Sequence, residues 1–223
     1  MLKTVQVLDH GFVELIDTFG NDLTVVNAAR VSFNKESTEL TERDSKLIKY
    51  LADHNHVTPF FHPQVRLRLK MPIFVAREWY RHQIGFARNE VSRRYVDDVP
   101  ICYSPALVRA RDANLKQGSK PDAVVENTMA VSLISHTNDR AIESYEQLLA
   151  MGVAPEVART VLPQGMYTEF IETGSLAAYA RLCNLRLDPS AQWEIRQYAD
   201  AVRNLILGSF PVSWEALCGE GSK

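Results

Sequence analysis

The 223-residue chain is poor in cysteine: Cys102, Cys183 and Cys218 are far apart and form no C-x-x-C pair. That spacing argues against a disulfide framework and a four-thiolate zinc site, and makes a reduced, cytoplasmic setting the default expectation. Long apolar runs are missing too. Nothing approaches the roughly 18 residues that span a bilayer. The opening MLKTVQVLDHGFVEL has neither the apolar stretch nor the cleavage site of a secretion signal. No membrane role is therefore expected. Charge of one sign is also lacking. The chain carries 25 basic and 27 acidic residues, a formal net charge of −2, whereas domains that bind polyanions usually read basic throughout. There is no repeat, no G-x-G-x-x-G after a strand, no G-x-x-x-x-G-K-[ST] and no G-x-S-x-G. The common dinucleotide, P-loop and nucleophile-elbow signatures are thus absent, and no cysteine stands beside an obvious base.

Hydrophobic residues make up 46% and charged residues 23% of the chain. This composition supports a packed core, and the length suits a single domain over 1–223. Residues 4–8 and 12–16 read as strands around the turn Asp9-His10-Gly11. A helix is expected over 22–33. Thr41 with Asp44 forms a capping box that opens another helix, running to Asp53. Gln64 to Lys70 alternates apolar and basic residues, as a half-buried strand does. Pro72 begins a helix expected to reach Gln83. Residues 84–120 are the least regular and end in a polar excursion that suggests a flap. Helix follows over 121–151 and 155–162. Residues 166–172 alternate ambiguously. Ser175 is placed to cap a helix through Asn184, and Ser190 the last strong helix. Without regular βαβ alternation, the expected class is α+β, with a mostly antiparallel central sheet flanked by helices.

Chemistry concentrates in Glu78-Trp79-Tyr80-Arg81-His82-Gln83-Ile84-Gly85-Phe86-Ala87-Arg88-Asn89-Glu90-Val91-Ser92-Arg93-Arg94-Tyr95. Arginine forks bind phosphate bidentately and keep their charge. Asn89 and Ser92 add neutral donors, and Glu90 could accept from a sugar or a base. The same run also fits a solvated surface with its arginines paired to Asp97 and Asp98. Arg159 and Arg186 lie in apolar surroundings, where a guanidinium needs a partner. That partner is either internal, such as Glu156 or Glu194, or a ligand. His54, His56 and His62 could share a metal only with more ligands than the sequence supplies, so none is assigned. Thr58-Pro59-Phe60-Phe61 instead suggests an apolar wall for a flat ring.

Arg81-His82-Gln83 followed by Asn89 through Tyr95 resembles the signature of flavin-dependent thymidylate synthases, Arg-His-Arg followed after seven residues by Ser. Gly11 to Leu15, Ala28 to Phe33, His56 to Phe60, Ala158 to Pro163, and Asn184 to Arg186 through Ala191 to Ile195 resemble further blocks in family order. The resemblance covers about residues 5 to 210. It implies a homotetramer with active sites between subunits. It also implies FAD, NADPH and 5,10-methylenetetrahydrofolate, with dUMP converted to dTMP and no cysteine nucleophile. By resemblance, Glu78, Arg81, Glu90, Val91, Ser92, Arg93, Arg94, Arg159 and Arg186 take dUMP, Arg186 as the group that activates the pyrimidine. Thr58, Arg81, His82, Gln83, Glu90, Ser175 and Arg181 take FAD, and His56 gates folate or nicotinamide. Gln83 stands in place of the third signature arginine, and Phe61 where a glutamate is frequent. Ser175 and Arg181 replace asparagines. Eight residues separate Gln83 from Ser92, so a bulge is expected within Gly85–Arg88. The expected ligands are small molecules, not nucleic acid. Two alternatives are a nucleotide or nucleic-acid binder that uses residues 81–94 as a phosphate clamp, and an inactive family member.

Overall fold

The apolar–basic alternation becomes strand β3 (Gln64–Pro72), at the centre of a five-stranded sheet. Val65, Leu67, Leu69 and Met71 point to one side and are each 0% exposed. Arg66 and Arg68 point to the other side, paired with Asp17 and with Glu14 and Glu169. β2 (Gly11–Phe19) flanks β3 on one side and carries β1 (Lys3–Val7) at its outer edge. β5 (Tyr167–Ser175) flanks β3 on the other side and carries β4 (Phe86–Glu90). The order is β1-β2-β3-β5-β4, and every neighbouring pair is antiparallel. This computed structural model describes residues 3–96, 98–113 and 118–219.

The helices are α1 (Asp22–Arg30), α2 (Glu42–Asp53), α3 (Ile73–Trp79), α4 (Asn127–Ala150), α5 (Pro155–Ala158), α6 (Leu176–Arg186), α7 (Trp193–Leu207) and α8 (Pro211–Cys218). The apolar sheet face packs into one core with α6, α7 and α8, in which Tyr179, Tyr198 and Trp214 are buried. Removing such apolar area from water is the main driving force for this packing. The Thr41–Asp44 capping box forms as the spacing dictates, and burying Asp44 beside Arg30 ties α1 to α2. The Ser175 hydroxyl accepts from the Ala178 N–H at 3.2 Å and starts α6.

Several expectations change. The helix after Pro72 ends at Trp79, not Gln83. The chain must turn back to enter β4, and Gly85 does so at φ +86, a conformation that favours glycine. A side chain there would also collide, since an added Cβ lies 2.9 Å from Ala178 Cβ. Residues 86–90 form a strand, paired from Phe86↔Gly174 to Glu90↔Phe170 without a register shift. The extra signature residue therefore makes no bulge in that ladder. Ser190 does not cap α7. Gln192 is the N-cap, and the Ser190 hydroxyl donates to Asp188 at 2.5 Å. The 121–151 helix begins only at Asn127. α8 was not anticipated. Its first N–H groups are satisfied by Asp22, which accepts from Val212 at 3.0 Å and Ser213 at 2.8 Å.

Candidate active site

Two helix ends meet to build the site. α3 stops at Trp79, leaving Glu78 on its last turn and Arg81 and His82 on the turn beyond. α6 stops at Arg186. Arg186 Nε donates to His82 Nε2 at 3.0 Å, Nη1 to Glu78 Oε2 at 3.3 Å, and Nη2 to the Glu78 carbonyl at 3.1 Å. His82 is held neutral because burial, then Arg186 and three further arginines, push its pKa down to about 4. Its Nε2 is the acceptor, so the ring proton sits on Nδ1. The guanidinium of Arg186 is thus oriented by one carboxylate, one carbonyl and one uncharged imidazole. Beside it Arg81 is exposed, and no described carboxylate pairs with it. Glu78, Arg81 and Arg186 line one cavity of about 870 Å3, within the size range of small-molecule sites.

The other residues singled out in the sequence lie elsewhere on the chain. Val91 and Arg93 line a second cavity of about 430 Å3 with Tyr167 and Thr168. Arg93 is engaged there by Asp98, through its carbonyl and its carboxylate. Glu90 accepts from the Thr168 hydroxyl at 2.5 Å. The Ser92 hydroxyl accepts from the Arg94 N–H at 3.3 Å. Arg94 pairs with Glu156 at 3.8 Å, and the exposed Arg159 donates from Nε to the Glu156 carbonyl at 3.3 Å. Of the internal partners considered, Glu194 engages Arg109 instead, at 2.7 Å. Arg181 lines a third groove of about 620 Å3 with Phe61, Val57, Ala177 and Ala180. It donates to the Ile84 carbonyl at 2.9 Å, on the turn that carries Gln83. This combination of flat apolar wall and guanidinium could hold a planar cofactor that bears an anion. Ser175 is buried at the near end of α6. Thr58 is exposed and opens a 3-10 turn whose Phe60 is buried, and the His56 ring lies 6.0 Å from Tyr50.

The basic run 81–94 does not form one surface strip. Arg88 faces the core, where its Nε donates to Glu172, a carboxylate that is 0% exposed. The Phe86 and Tyr80 rings lie 4.7 Å and 5.4 Å from its guanidinium. Glu172 also accepts from Trp79 Nε1 at 3.1 Å. Arg88 therefore leaves the phosphate-gripping set, and Asp97, offered as a partner for these arginines, lies outside the described residues. Sequence reasoning missed Glu172. It also missed Arg109, Trp193 and Arg196 on the wall of the 870 Å3 cavity. Arg109 sits in the irregular stretch, which has no periodicity to flag it.

The chain matches the family described as Thymidylate synthase complementing protein over residues 14–212. A flavin-dependent thymidylate synthase of Thermotoga neapolitana is 42% identical over 212 residues, spanning 95% of this chain and 93% of that protein. One from Thermus thermophilus is 41% identical over 213 residues, spanning 96% and 77%. Among solved structures, the UMP/dUMP methylase PolB from Streptomyces cacaoi bound with 5-Br dUMP matches with a TM-score of 0.85 and 30% identity, covering 98% of this chain and 99% of that one. The chain belongs to the flavin-dependent thymidylate synthase family.

Proposed function

We propose that this protein methylates dUMP to dTMP, with 5,10-methylenetetrahydrofolate as one-carbon donor, FAD as the flavin and NADPH as reductant. Arg186 carries this proposal: it is fixed between Glu78 and His82 and opens into the 870 Å3 cavity. A guanidinium held in place before the substrate arrives stabilises charge that develops on the pyrimidine when N3 ionises. His82 contributes by staying neutral. A second cation against Arg186 would repel it from the site, and an uncharged acceptor does not. Arg81 is free to meet an anionic ligand in the same cavity. In the 620 Å3 groove, Phe61 and Val57 would offer a flavin an apolar wall, and Arg181, which alone of the residues assigned to FAD lines this groove, would meet an anionic group. Bound flavin would supply the reducing equivalents. Relatives named for flavin dependence, and a structural neighbour described with 5-Br dUMP, support the same chemistry.

The dispersal of the dUMP set supports a shared site. Arg186 lines one cavity, Arg93 another, and Arg159 neither of these. A homotetramer in which one subunit supplies Glu78, Arg81 and Arg186, and another supplies Glu90 to Arg94 and Arg159, brings them together. The test uses purified protein with FAD, NADPH, methylenetetrahydrofolate and dUMP, following dTMP. Turnover is expected, R186A and R93A are expected to be nearly inactive, and mixed assemblies of the two variants should recover a fraction of the rate. No dTMP from wild-type protein would sink the activity and favour an inactive family member. Two inactive variants that never complement would sink the shared site.

A further inference from the structure

Most of the 870 Å3 cavity is lined by residues other than Glu78, Arg81 and Arg186. The wall facing Arg186 comes from Arg109 and Ser119, between β4 and α4, and from Trp193 and Arg196, on the first turn of α7. Arg109 is fixed. Its Nη2 donates to both Glu194 oxygens at 2.7 and 2.8 Å, and its Nε donates to the Ser119 hydroxyl at 2.9 Å. Its guanidinium lies 5.2 Å from the centre of the Trp193 ring. Glu194 is only 4% exposed and accepts in addition from Tyr103 and Gln192.

Arg196 contrasts with Arg109. It donates to the Pro189 carbonyl at 3.3 Å, and no described carboxylate pairs with it. A cation on the first turn of a helix meets the positive end of the helix dipole, so it is disfavoured unless an anion joins it. In the cavity, Arg109 is balanced by Glu194 and Arg186 by Glu78, while no carboxylate among the described residues pairs with Arg81 or Arg196. Trp193 is 39% exposed and offers an aromatic surface beside them. A rigid guanidinium fork, a hydroxyl and an indole together suit a phosphate monoester attached to a flat base.

We propose that Arg109, Ser119, Trp193 and Arg196 form a second subsite, which takes a phosphate monoester on an adenine nucleoside: the 2′-phosphate end of NADPH. The assignment rests on the function proposed above, in which a pyridine nucleotide is the reductant. Arg196 and Arg109 take the phosphate, and Trp193 takes the adenine ring. The dUMP phosphate has the same chemistry, so the experiment separates the two sources.

The FAD-loaded protein is titrated with adenosine 2′,5′-bisphosphate, with 5′-AMP and with dUMP by calorimetry. The bisphosphate is expected to bind at least about tenfold more tightly than 5′-AMP, as an added charge-assisted contact allows. R196A should erase most of that preference, and R196K should restore part of it. The NADPH-over-NADH preference in flavin reduction should fall in parallel. Equal binding of bisphosphate and 5′-AMP by wild-type protein would overturn the proposal. So would an R196A variant that weakens dUMP but keeps the bisphosphate preference. The binding measurements are read whether or not dTMP forms, so failure of the subsite and failure of the proposed activity are distinguishable.

Discussion

Arg88 and Arg186 are covered to nearly the same degree, with side chains 16% and 15% exposed, yet they belong to different kinds of site. Arg88 lies under the sheet against Glu172, flanked by Phe86 and Tyr80. Glu172 is completely buried, and burial pushes its pKa up while the Arg88 charge pulls it back. Each ion then depends on the other, because a charge stranded in the core is costly. Arg186 rests on Glu78, which is 31% exposed, and on a neutral imidazole, and it opens into the large cavity. Its charge is positioned but not consumed. Between these two arginines, the exposure of the partner and the opening onto a cavity separate a structural ion pair from a group kept ready for a ligand. The two regions also touch. Glu172 holds the Trp79 indole, and Trp79 is the neighbour of Glu78, so the buried pair braces the turn that builds the site.

The contrast can be broken by substitution, beginning with the largest effect. E172A strands Arg88 and is expected to cost about 3–5 kcal/mol of stability, read by urea unfolding. The double variant R88M/E172L should lose far less than the sum of its single changes, because both charges leave together. A full loss in the double variant would show that packing, not pairing, holds this region. R186A should behave in the opposite way. We expect turnover to fall roughly 100- to 1,000-fold, as when a pre-organised charge-stabilising donor is removed, with a melting temperature close to that of the parent. A variant that unfolds as readily as E172A would erase the distinction between the two arginines.

The third expectation concerns His82. Its proton should be taken up with a midpoint near pH 4, below the ordinary value of about 6.5. As pH falls below that ordinary value, unfolded chains bind a proton that the folded chain refuses. Stability from this group is therefore lost between about 6.5 and 4 and levels off below. Imidazole NMR reads the midpoint. R186A should raise it, since Arg186 is the largest electrostatic cause after burial. A midpoint near 6 in the parent would mean that burial and Arg186 together do not hold His82 neutral. The smallest effect lies far from both arginines. T41A removes the capping oxygen of α2, and the expected cost is about 1 kcal/mol, with no change in nucleotide affinity.

Local patterns carried much of the fold into view. The alternation in β3, the Thr41–Asp44 box and the Ser175 cap are written in neighbouring residues, because their physics acts over a few positions. β4 was hidden because Arg88 occupies an inward position where an apolar residue would normally signal a strand. Only Glu172, directly opposite on β5, makes that arginine acceptable. α8 was hidden for a similar reason, since its cap is Asp22, at the other end of the chain.

The candidate site divides in the same way. Its residue types were legible as a run of arginines around residues 81–94 and two more at 159 and 186. Their partners were legible only in part. Asp98, foreseen as a partner for the run, pairs with Arg93, and Glu156, foreseen for Arg159, gives that residue its carbonyl and its carboxylate to Arg94, whereas no spacing assigns Glu78 to Arg186 or Glu172 to Arg88. The sequence by itself determined the strand periodicity, the helix caps, the near-zero net charge and the stock of guanidinium groups. The tertiary structure alone decided which of those charges are neutralised inside and which face a cavity. The physical reason is range: periodicity and capping act between residues a few positions apart. The energy of a buried charge is set by whatever the fold brings within a few ångströms of it.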